Sequence, residues 1–200
     1  MLLITGFILL VLIEYFKPKP VDWSVNFENN KTIPYGCQVL YQSLPTLFPS
    51  SRIEVNKTNY FQFLRNQNPV NATVLLVTDN LQADPYDTQE LLNFIRSGNQ
   101  VFVCAANFSN TFLDSCNFTI STKVIDSLAL KQNTKSLNFI NPRIASEVGY
   151  SFPGQLYKRM FTSFDSARVT ILGINGANDI NFIKMQLGKG NLFINLQPLA

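Results

Sequence analysis

The chain carries its clearest pattern at residues 73–106. Two unbroken apolar runs, 73–79 (Thr-Val-Leu-Leu-Val-Thr-Asp) and 100–106 (Gln-Val-Phe-Val-Cys-Ala-Ala), flank an amphipathic stretch at 86–97. Strands that do not alternate are expected where both faces of a sheet are covered, so the runs predict two buried parallel strands. Between them Leu91, Leu92, Phe94 and Ile95 share a helix face, Asp87 and Glu90 lie in the first turn, and Gly98 follows the end. This is a βαβ unit with a right-handed crossover. Upstream, the spacing of Val39, Leu40, Leu44, Leu47 and Phe48 predicts a helix over 35–44, limited by Pro45. A short strand is expected at 52–56 and a short helix at 60–66. Downstream, 108–114 reads as a helical turn. Strand-like segments then follow at 119–130, 136–140, 158–164, 169–173, 181–187 and 191–196, the last two joined by Gly188-Lys189-Gly190 as a hairpin. The order predicts a doubly wound α/β sheet, mainly parallel, with antiparallel C-terminal strands.

The opening sixteen residues stand apart. They are apolar through Ile13 and end in Glu14-Tyr15-Phe16, with Lys17 and Lys19 behind them. As a helix they span about 24 Å against a hydrocarbon core of ~30 Å, short but usable as a single transmembrane anchor. A cleaved signal peptide would need a basic start and a small-x-small site, and neither is present. The expected organisation is an anchor at 1–16, a Pro- and Asn-rich linker at 17–32 and a domain at 33–200. Lipid is then the first partner and a bacterial inner membrane the location. Lysines only behind the helix favour a cytoplasmic domain, whereas a basic segment preceding it would reverse that, so the side stays open.

Composition mainly removes possibilities. A net charge of +3, with basic residues scattered singly, leaves no footprint for nucleic acid. There is no histidine, which excludes Ser-His-Asp and Cys-His triads and most zinc sites. The cysteines, Cys37, Cys104 and Cys116, lack metal-binding spacing, and Cys37 and Cys104 sit in apolar runs as small core residues do. No cofactor or metal is expected.

Three pieces carry a resemblance. Ile13-Glu-Tyr-Phe-Lys-Pro-Lys-Pro-Val-Asp-Trp23 with Ile33-Pro-Tyr-Gly36, then Leu91-Leu-Asn-Phe-Ile-Arg-Ser-Gly-Asn-Gln-Val-Phe-Val103, and finally Gly188-Lys-Gly-Asn-Leu-Phe-Ile-Asn-Leu-Gln-Pro-Leu199 together resemble the DUF4350 family of bacterial membrane proteins, of Bacteroidetes type. The second and third pieces are shared with the wider class I glutamine-amidotransferase-like superfamily. The resemblance implies a flavodoxin-like sandwich behind one transmembrane helix, and a membrane-protein partner. Longer members carry a further hydrophobic segment, so the chain is expected to be part of a longer protein. An amidotransferase elbow needs a glycine-flanked Cys with His and Glu downstream. Val103-Cys-Ala-Ala-Asn-Phe-Ser109 has neither the glycines nor the His, and Cys104 is expected inside the strand as a core thiol.

What remains is a polar edge. In open parallel sheets ligands bind beyond the carboxyl ends of the strands, which places Asp79 and Asn80 beside Asn107 and Ser109 as candidate ligand-binding residues. Asp84 and Asp87 could extend this to a Mg²⁺ site, against the plainer roles of loop and helix cap. Lys189 and the Asn-x-Ser/Thr sequons at Asn30, Asn56, Asn71, Asn107 and Asn117 carry no assignment. The reading is a membrane-anchored, non-catalytic binding or scaffold domain, using this edge or the irregular face at 141–155. Its alternatives are a degenerate or carboxylate-based hydrolase and a small-ligand domain for a sugar or nucleotide. No glycine-rich phosphate loop follows any strand, which weighs against the nucleotide.

Overall fold

The computed structural model describes residues 6–7, 12, 14–18, 20–56, 58, 60–67, 69–122, 136–152 and 158–200. The chain divides into two compact units, Met1–Ser51 and Arg52–Ala200. In the first, helix α1 (Gln38–Leu47) follows a tight turn in which the Gly36 amide donates to the Ile33 carbonyl. A Cβ on Gly36 would lie 2.2 Å from the Lys31 carbonyl oxygen, so only glycine fits there. The helix runs past Pro45, beyond the expected stop at 44. A proline this close to the C-terminus removes a single backbone bond, which the last turn tolerates. Trp23 meets Tyr35 edge-on at 5.7 Å between ring centroids.

The expected transmembrane helix is corrected. Among the described residues no helix is long and apolar enough to cross a membrane. Most of the 1–16 stretch assigned to the anchor lies outside the described residues.

The second unit opens with an irregular 52–56, where a strand was expected. Asn56 instead folds a turn, its Oδ1 accepting from the Thr58 amide and its Nδ2 donating to the Thr58 carbonyl. Helix α2 (Tyr60–Gln67) leads into β1 (Thr73–Val77), a short β2 (Asn80–Leu81), helix α3 (Pro85–Arg96), β3 (Gln100–Cys104), a short β4 (Asn107–Phe108) and helix α4 (Asn110–Cys116). Seven strands follow: β5 (Phe118–Thr122), β6 (Ser136–Phe139), β7 (Tyr150–Ser151), β8 (Arg159–Phe164), β9 (Val169–Asn175), β10 (Ile180–Leu187) and β11 (Gly190–Asn195). The region expected as one strand at 119–130 is described only to Thr122, and the expected irregular face at 141–155 only to 152.

The main sheet has the order β1-β3-β11-β10-β9-β6-β7. Parallel pairing is confined to β1, β3 and β11, and every pairing beyond β11 is antiparallel. The architecture is therefore a mixed sheet with few helices, and the expected flavodoxin-like, mainly parallel sandwich is corrected. After β4 the chain makes one short helix among the described residues, and the succession β9, β10, β11 returns by hairpins, which can only pair antiparallel. Two smaller sheets complete the unit, a parallel β2–β4 pair and an antiparallel β5–β8 pair.

The two faces of the main sheet differ. Val101, Val103, Leu192, Ile194, Ile183 and Met185 are buried and pack with Leu91, Leu92 and Ile95 of α3. On the other face Phe102, Phe193 and Phe182 form a ring cluster that is only half-buried, and Leu75 is 37% exposed. Unbroken apolar strands thus arise here without equal burial of both faces. The α3 helix starts as its sequence requires: Asp84 Oδ1 accepts from the Asp87 amide at 2.7 Å and Pro85 takes the first position.

Candidate functional site

The carboxyl edge of β1 and β3 is held together by backbone. The Asp79 carbonyl accepts from the amides of Ala106 (3.1 Å) and Asn107 (3.0 Å), so the links from β1 to β2 and from β3 to β4 run side by side. That arrangement sets Asn80 directly opposite Asn107 as register partners. Asn107 Nδ2 adds a longer contact to the same Asp79 carbonyl, 3.4 Å. Asn80 is exposed, its Oδ1 accepting from Gln82 Nε2 at 2.7 Å, whereas Asp79 and Asn107 are half-buried.

Of the residues expected at this edge, Asp79, Asn80 and Asn107 come together. Ser109 has a structural task. Its hydroxyl donates to the Ala83 carbonyl at 2.7 Å and its amide to Leu81 at 3.0 Å, which ties the start of α4 to the segment before α3. Asp84 is the cap of α3, and among the described residues no group of three or more acidic or cysteine side chains could hold a metal ion. Cys104, expected inside the strand, is the last residue of β3, paired in register with Val77 and Asn195, and is half-buried. Lys189 sits in the exposed hairpin turn, where its amide donates to the Arg96 carbonyl.

Two residues at this edge were not among the candidates, although Gln197 falls in the third resembling piece. Arg159 opens β8, fifty-two positions along from Asn107, and its guanidinium donates to Asn107 Oδ1. Gln197 follows β11 with 1% exposure, its amide held by Asn195 Oδ1 at 2.9 Å. Neither has a local motif, because each reaches the edge through strand pairing between distant segments. Chemically the edge offers carboxamides, which donate and accept at once, a carboxylate and a guanidinium. This set suits hydrogen bonding to a polar solute and contains no imidazole.

No family model matches the chain, and no curated protein matches it. Among solved structures it is similar to parts of glycoside hydrolases. Exo-β-1,4-mannosidase Op5Man5 from Opitutaceae bacterium strain TAV5 matches at 13% identity over 64% of this chain and 20% of its own, with a TM-score of 0.43. A β-galactosidase from Bacillus circulans sp. alkalophilus matches at 11% identity over 64% and 20%, TM-score 0.40. The GH42 β-galactosidase Gan42B from G. stearothermophilus matches at 12% identity over 87% and 24%, TM-score 0.43. The chain thus spans about a fifth to a quarter of the length of these structures, a weak partial likeness to glycoside hydrolases that carries no argument about chemistry.

Proposed function

We propose that the unit Arg52–Ala200 is a non-catalytic binding domain that takes a small polar ligand at the carboxyl edge of β1 and β3. The observation that supports this is the register pairing of Asn80 with Asn107 beside Asp79, at the place where open sheets present backbone ends and side chains to solutes. Paired carboxamides match the alternating donors and acceptors of a polyhydroxylated molecule, so a sugar is the finer form of the reading. Catalysis by a nucleophile would need a positioned base. Ser109 is turned to the Ala83 carbonyl and Cys104 is the last residue of β3, with no histidine in the chain to activate either. A carboxylate mechanism would need Asp79, Asp84 and Asp87 to converge, yet the Asp84 carboxylate is engaged as a helix cap.

The test is a thermal-shift titration of the full chain with glucose, galactose and mannose, repeated on Asn80→Ala. Asn80 is exposed, so that variant is expected to keep the unliganded Tm. A ligand at one hundred times its Kd stabilises by ~2.7 kcal/mol, a shift of several degrees. The expected outcome is a saturable shift in the parent chain that Asn80→Ala loses. No shift, together with turnover of a model glycoside or amide, would replace binding by catalysis.

A further inference from the structure

We infer that the ligand of this edge carries an oxyanion, a carboxylate or a phosphate, and that Arg159 is the residue that reads it. The inference rests on the binding reading above and names the class of ligand.

Arg159 is half-buried where β8 begins, opposite Thr122 of β5. A guanidinium presents five donors in a planar fork. Here one side of the fork is held by a neutral acceptor, Asn107 Oδ1, and among the described residues Arg159 makes no ion pair. Arg168 sits 2.7 Å from Asp165 and Arg52 sits 2.6 Å from Glu54, whereas Arg96 and the exposed Arg143, like Arg159, make no ion pair among the described residues. A half-buried cation beside a neutral amide gains from an anionic partner. The amide engages one guanidinium nitrogen and leaves other donors of the fork for two-pronged recognition of an oxyanion. Asn107 therefore serves two partners at once, with Nδ2 on the Asp79 carbonyl and Oδ1 on Arg159, and sets the cation at the polar edge. Asp79 contributes negative charge to the same edge. A sugar acid or a sugar phosphate would set its anion at Arg159 and its hydroxyls along the rest of the polar edge.

The experiment follows the side-chain NMR signals of Arg159 Nε and Asn107 Nδ2 in the full chain during titration with glucuronate, glucose 6-phosphate and glucose. Arg143, exposed on the 141–144 turn, is the internal control. The expected result is a saturable shift of Arg159 and Asn107 with at least one of the two anions, at least ~tenfold tighter than with glucose and without a parallel change at Arg143. Preference for glucuronate identifies a carboxylate, and preference for glucose 6-phosphate a phosphate. Arg159→Gln should lose that difference and Arg159→Lys keep part of it, while Asp79→Asn should tighten anion binding. The signals of the unaltered chain give the answer even if Arg159→Gln folds poorly. Glucose binding as tightly as both anions would overturn the anion inference and leave the binding site standing. No change at the edge with any of the three would overturn both, and shifts shared equally with Arg143 would reduce the effect to nonspecific ion association and overturn the inference.

Discussion

Asn99 holds three elements with one side chain and one carbonyl. Its Oδ1 accepts from the Ala72 amide at 2.9 Å, its Nδ2 donates to the Phe94 carbonyl and to Ser97 Oγ, and its own carbonyl accepts from the Asn191 amide. At 3% exposure it cannot exchange these partners for water. Asn99→Ala is therefore expected to lower stability by about 2–3 kcal/mol in urea unfolding, since several buried groups lose partners together. The opposite sign is expected at Thr88, whose buried hydroxyl has no hydrogen-bond partner among the described residues. Thr88→Val keeps the shape and removes that group, a gain of about 1 kcal/mol in the same assay. Cys116 gives a pH signature. Burial pushes its thiol from the ordinary 9.0 up to about 12, so the folded chain keeps it protonated where the unfolded chain ionises it. Stability from this group is complete below 9.0 and falls as pH rises toward about 12. Iodoacetamide should accordingly label Cys116 at neutral pH only after denaturation.

Among the elements, the hairpin Ile180–Leu187 to Gly190–Asn195 was the most legible, because Gly188-Lys189-Gly190 between two strand patterns has one plain meaning. Its second task was not. The turn docks on the C-terminus of α3, with Gly188 at φ 59° against Arg96. A Cβ on Gly190 would lie 2.1 Å from the carbonyl oxygens of both Asn99 and Ile95. Gly190→Ala should cost about 3 kcal/mol, against ~1 kcal/mol for Gly188→Ala, which meets an unfavourable φ and the Arg96 carbonyl oxygen at the longer distance of 2.9 Å. A lower urea midpoint for Gly188→Ala than for Gly190→Ala would contradict this docking. Other elements were misread for identifiable reasons. Residues 52–56 have the composition of a strand, but the Asn56–Thr58 side-chain turn takes up the following backbone, and β1 is left at the sheet edge. Pro45 was read as a stop, but near a helix end it leaves too few bonds to break.

At the scale of the whole chain, the apolar and turn pattern by itself determined that β1, α3 and β3 form a parallel crossover unit, that the last two strands form a hairpin, and that polar residues gather where the parallel strands end. These follow from neighbours in sequence, since periodicity, caps and tight turns act within a few residues. Only the tertiary structure decided that β11 enters beside β3 and turns the rest of the sheet antiparallel, which makes the sheet mixed where a flavodoxin-like sandwich was expected. It also decided that one sheet face is buried while the Phe102 face is half-open, and that Arg159 reaches Asn107. Strand partners and guanidinium contacts are chosen by the free energy of packing distant segments together. No window of local sequence contains that quantity.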